Sequence, residues 1–115
     1  MRRLIAIGIV LACAGCATPG DVAKKVPVDT FTTSKSPQAF VECAMPLMIK
    51  AMSLSRVIPK TGGQQIIGSA SAYGVVAALV DVDEREDGGS RIEVRLGPVI
   101  GSIGSDTVRF ARSCQ

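Results

Sequence analysis

Five acids fall within seven positions, at Asp81, Asp83, Glu84, Glu86 and Asp87, and they are the densest chemistry in the chain. An Asp-x-Asp start followed by more acids invites a calcium loop, but Arg85 stands at the third ligand position and no glycine at the sixth. Paired carboxylates also hydrolyse glycosides, yet three Phe, one Tyr and no Trp leave few rings for a sugar to stack on. Histidine is absent, so neither a Ser-His-Asp nor a Cys-His site can be assembled within this chain. The thioethers of Met45, Met48 and Met52 are soft enough for Cu(I), but their spacing is that of one helix face, where methionine serves as core filler. Gly62-Gly63 and Gly101-x-x-Gly104 fit neither a P-loop nor a dinucleotide loop. The expectation is a protein without catalytic residues, metal or cofactor, whose acids form a solvated hairpin tip available to a partner.

The four cysteines, Cys13, Cys16, Cys43 and Cys114, have to be sorted by compartment. Arg2 and Arg3 precede an apolar run from Leu4 to Leu11, and small Ala14 and Gly15 stand directly before Cys16. This is signal-peptide grammar, and the run is too short for the roughly 20 residues that span a bilayer. The stretch resembles the lipobox of bacterial lipoproteins, on the residues Ala14, Gly15 and Cys16. That resemblance implies a signal peptide over 1–15 and a lipid, palmitate included, on Cys16. Cys13 departs from the pattern at a position usually held by Leu, and a second frame ending at Cys13 would place the lipid there. Ala17, in the place where Asp resembles an inner-membrane retention signal, points to the outer membrane facing the periplasm. An ordinary secretory signal without lipid is the plainer alternative.

With Cys13 removed and Cys16 acylated, Cys43 and Cys114 remain. Two cysteines in an oxidising compartment are most simply a disulfide, and a loop of this length is stabilised by about 4 kcal/mol on closure. A redox thiol would want a Cys-x-x-Cys neighbour, and a zinc site more ligands than the chain supplies.

The length of 115 residues allows one domain. Taking Arg2 and Arg3 from the 13 basic residues leaves 11 against 10 acidic ones. With only Lys24-Lys25 adjacent, no basic stripe for nucleic acid exists. Residues 16–35, rich in Pro, Thr, Lys and Asp, read as a flexible tether ahead of a domain over 36–115. Ser36-Pro37 is a helix start. Phe40, Ala44, Leu47 and Ala51 follow at helical spacing, with Cys43 on that face and Val41, Met45, Met48 and Met52 beside it. Pro46 falls on the polar side, where a kink is tolerable. Residues 57–63, with Pro59 and Gly62-Gly63, read as loop, and 66–80 as one or two buried strands. In 91–96, Ile92, Val94 and Leu96 alternate with Arg91, Glu93 and Arg95. Val80 and Val82 alternate likewise with Asp81 and Asp83. A loop over 84–90 makes the two a hairpin whose outer face sets Asp81 and Asp83 among Arg91 and Arg95. Residues 106–114 form a short helix or last strand. The expected fold is α+β: one N-terminal helix on a small antiparallel sheet, with a short C-terminal element pinned by Cys114.

The functional expectation is an envelope lipoprotein that binds another envelope protein without catalysis. One alternative is a phage- or plasmid-type exclusion or immunity lipoprotein, which it resembles in size and layout. From a different class comes a small cell-wall or glycan hydrolase.

Overall fold

Ser36 caps the long helix as its type suggests: its hydroxyl accepts from the Ala39 N–H at 3.2 Å, and Pro37 occupies the first helical turn. The computed structural model describes residues 18–69, 75–98 and 102–115. The signal segment, Cys13, Cys16 and Ala17 lie outside the described residues, as do Tyr73 and Gly101. In chain order the elements are α1 (Pro19–Ala23), β1 (Asp29–Thr33), α2 (Pro37–Ala51), β2 (Arg56–Lys60), β3 (Gly63–Gly68), β4 (Ala78–Glu84), β5 (Ser90–Leu96) and α3 (Ile103–Ser113). The strands form one antiparallel sheet in the order β1-β5-β4-β3-β2. The protein is α+β.

Strand parity divides the sheet into two faces. Ile66, Val80, Val82, Ile92 and Val94 face α2 and α3 and join Phe40, Ala44 and Met48 in the main core. Leu79 and Ile67 face the other way and bury Val22 of α1 together with Val76. The methionine stripe is core: Met48 and Met52 are buried and Met45 packs against them. Gly68 makes room for it, since a Cβ there would stand 2.8 Å from the Met52 sulfur. Helix α2 runs through Pro46, which is exposed, so the carbonyl left unpaired by proline sits on the wet side.

The start of the chain departs from expectation. A short helix and an edge strand precede α2, where residues 18–35 read as tether and α2 as the first element. Helix α1 opens on a reciprocal cap between Thr18 and Asp21. In β1, Phe31 and Thr33 point inward, and the Phe31 ring lies 6.2 Å from that of Phe40. Threonine suits strands, and the inward alternation of Phe31 and Thr33 outweighs the polar composition around them. Residues 57–63 are likewise not loop. They supply most of β2 and a tight turn at Thr61-Gly62, where Gly62 adopts φ +78°. Pro59 is tolerated because β2 is an edge strand.

Cys43 and Cys114 form a disulfide across 71 positions, with Cα atoms 5.8 Å apart. It joins the middle of α2 to the C-cap of α3. Polar contacts close the same corner. Lys35 Nζ donates to the Cys114 carbonyl at 2.7 Å. Arg112 forks onto Asp29 at 2.7 and 2.8 Å while its guanidinium lies 4.4 Å from the Phe31 ring centre. Those hydrogen bonds hold the Asp29 carboxyl below the ordinary carboxylate range.

Replacing both Cys43 and Cys114 with Ala is expected to lower the unfolding free energy by about 4 kcal/mol, measured by urea denaturation. In the unreduced folded protein, a thiol alkylating reagent should label neither cysteine; labelling of both would contradict the bridge.

Candidate functional site

The acids that the sequence groups together are separated by the fold into two sets. Asp81 and Asp83 belong to the outer face of β4, while Glu84, Glu86 and Asp87 lie at the β4–β5 connection. Strand β4 is the middle strand of five, and Asp81 is only 7% exposed. The register sets Asp81 directly opposite Glu93, a like-charge pair that would destabilise the hairpin if left alone. Arg95 resolves it. Its Nη1 donates to Asp81 at 2.7 Å and its Nη2 to Glu93 at 2.7 Å. Lys60 Nζ and Gln65 Nε2 complete Asp81 at 3.0 and 2.9 Å.

The pairs continue outward. Lys60 also reaches Asp83 at 2.6 Å, and Arg91 reaches Glu93 at 3.1 Å. Three cations and three carboxylates thus run across the face from β5 to β2. Burial works against the Lys60 ammonium, but its hydrogen bonds to Asp83 and Asp81 outweigh that and hold its pKa above the ordinary lysine value. Asp81 therefore has three of its roughly four acceptor positions filled. It braces the sheet and has no free face for a partner, contrary to its expected place in a solvated tip. Arg95 is among the expected outer-face partners of Asp81. Asp83 stands opposite Arg91 in register but binds Lys60. Lys60 is hidden as a partner by the loop-like letters of 57–63, and Gln65 because it falls between that stretch and the apolar run that starts at Ile66.

The exposed tip is smaller than the sequence cluster. Glu84, Arg85, Glu86 and Asp87 line an open concavity of about 480 Å³, with three carboxylates against one guanidinium. Arg85 approaches Asp87 at 3.4 Å. Asp87 Oδ1 accepts from the Gly89 N–H at 2.9 Å, and Gly88 turns the chain at φ +84°. Asp87 is thus partly a turn residue, whereas among the described residues the carboxylates of Glu84 and Glu86 make no hydrogen bond to the turn. Behind the tip, Ser90 Oγ donates to the Lys35 carbonyl at 2.8 Å. The turn therefore sits on a fixed base. Among the described residues no group of three or more His, Cys, Asp or Glu side chains is gathered to hold a metal ion, and no helix is long and apolar enough to cross a membrane.

No protein-family model, curated protein or solved structure matches the chain.

The division of labour at the tip is measurable by thermal unfolding. Glu84→Gln and Glu86→Gln are expected to leave stability within about 0.5 kcal/mol of the parent. Asp87→Ala should lower it by about 1 kcal/mol through loss of the turn hydrogen bond. Equal losses at all three positions would contradict the assignment.

Proposed function

We propose that this chain is the precursor of a bacterial envelope lipoprotein, anchored by lipid on Cys16 and acting as a non-catalytic protein-binding module. The observation that carries the reading is the Cys43–Cys114 disulfide, a cross-link suited to an oxidising compartment, in a chain that opens with a signal-like segment ending at Cys16. The two lines are independent. One comes from the first sixteen residues and the other from the pairing of two distant ones. Ala17, in place of the Asp that resembles an inner-membrane retention signal, supports an outer-membrane anchor facing the periplasm.

The binding surface in this reading is the tip made by Glu84, Glu86 and Asp87. Exposed acids crowded on one turn contribute little to folding, and loops held on a rigid sheet are common contact sites. The partner is another envelope protein with a basic surface, and charge complementarity acts mainly on the association rate and its salt dependence. Asp81 and Asp83 support this surface from behind.

In a bacterial host fed labelled palmitate, the parent chain is expected to incorporate label and mature, and Cys16→Ser to do neither. A photo-crosslinker replacing Glu86 in the same intact cells should capture an envelope protein, and less of it when Glu84→Lys is added. Label that persists in Cys16→Ser and disappears in Cys13→Ser would move the anchor; no label in any form would remove the lipoprotein reading.

A further inference from the structure

The two ends of the sheet differ in character. Helix α1 and the segment after it lie at the end where β4 begins and β5 finishes: Val22 packs on Leu79 and Val76, and the Val28 N–H donates to the Val94 carbonyl at 2.8 Å. The acidic tip lies at the other end. Seven residues of β4 separate the two, which at about 3.4 Å per residue is roughly 20 Å.

The α1 end is basic and apolar at its surface. Lys24 and Lys25 are exposed, and Val26 and Val28 are 85% and 55% exposed. Pro27 stands between the two valines, and the segment is held in place. Arg95 Nε donates to the Lys25 carbonyl at 2.9 Å, and the Lys25 N–H donates to the Val22 carbonyl at 3.1 Å. Leu54, also exposed, donates its N–H to the Ser69 carbonyl at the same end of β3. Of the two flanking acids, Asp21 is turned to the Thr18 cap and Asp29 is paired with Arg112.

We infer that this end of the domain is a membrane-contact surface, in which Lys24 and Lys25 meet anionic lipid headgroups while Val26 and Val28 enter the interface. The inference rests on lipidation at Cys16. The described residues begin at Thr18, two positions after that anchor, and two residues reach at most about 7 Å. Helix α1 adds about 7 Å more. A lipid on Cys16 thus brings the Lys24–Val28 segment to the bilayer without a long spacer. Basic residues beside a lipid anchor add electrostatic attraction to the hold of the acyl group, about 1 kcal/mol per lysine at an anionic surface. The arrangement also turns the acidic tip away from an anionic surface, toward a partner.

The chain contains no Trp, so a single indole reports its own surroundings. Mature lipidated Val26→Trp and Val28→Trp proteins, with the acyl group verified by mass, are reconstituted into vesicles of equal phosphatidylglycerol and phosphatidylcholine. Both are expected to show blue-shifted emission and quenching by brominated lipid, while Glu86→Trp shows neither. Adding Lys24→Gln and Lys25→Gln should weaken the contact equilibrium by about fivefold per lysine, and salt should weaken it in the parent. Lipidated protein whose indoles at 26 and 28 stay water-exposed overturns the inference and leaves the anchor intact. Burial of those indoles only in native membranes, not in pure lipid, also overturns it, because a protein then covers the surface. A protein without lipid on Cys16 removes both readings.

Discussion

A carboxylate on the middle strand of a sheet cannot lean over an edge to reach water, and Asp81 is in that position. Val80 and Val82 on either side of it are locked into the core, so strand parity leaves the acid no other direction. Its opposite neighbour is Glu93. The hairpin therefore requires positive charge between the two acids, and Arg95 supplies it with both arms of one guanidinium. A bidentate fork suits that place better than an ammonium would, because it holds two carboxylates at a fixed spacing. Lys60 then ties the same acid to the far edge strand, and Gln65 ties it to the strand between.

This row of charges and the disulfide act on different parts of the fold. Ion pairs hold β2 to β5 on the outer face, while the disulfide, Lys35 and Arg112 hold α3 against α2 and β1 on the inner side. The core between them is assembled from Val, Ile, Leu, Ala and Met, with Phe31–Phe40 as the one ring pair among the described residues. A core so short of aromatic area benefits from covalent and ionic bracing at both faces. The bracing also stiffens the supports of both ends of the domain: Arg95 grips the Lys25 carbonyl at one end, and Ser90 grips the Lys35 carbonyl at the other.

Periodicity made α2, the β4–β5 hairpin and its inward face legible, since each has long alternation or helical spacing with little to contradict it. The pairing of Cys43 with Cys114 followed from eliminating the other two cysteines. Strand β1 was hidden because five residues carry only one large apolar side chain, Phe31, amid polar neighbours. Strand β2 was hidden by Pro59, which forbids a central strand but not an edge. The acidic cluster misled for a related reason. Adjacent letters suggested one surface, but three-dimensional placement depends on where the strand ends, and β4 ends at Glu84. Asp81 and Asp83 lie inside that boundary; Glu86 and Asp87 lie beyond it.

Asp81 is thus a structural node held by Arg95, and of the five clustered acids Glu84, Glu86 and Asp87 are the ones left exposed at the tip. A double-mutant cycle between Asp81→Ala and Arg95→Ala, read by urea unfolding, tests that role most directly. Removing Arg95 leaves Asp81 opposite Glu93 with no guanidinium between them, and removing Asp81 takes the buried acceptor from Arg95, Lys60 and Gln65 at once. Asp81→Ala is therefore expected to cost about 3 kcal/mol, with a coupling energy of at least about 1 kcal/mol between the two positions. A loss below about 0.5 kcal/mol for Asp81→Ala, or additivity of the two substitutions to within that margin, would contradict the account.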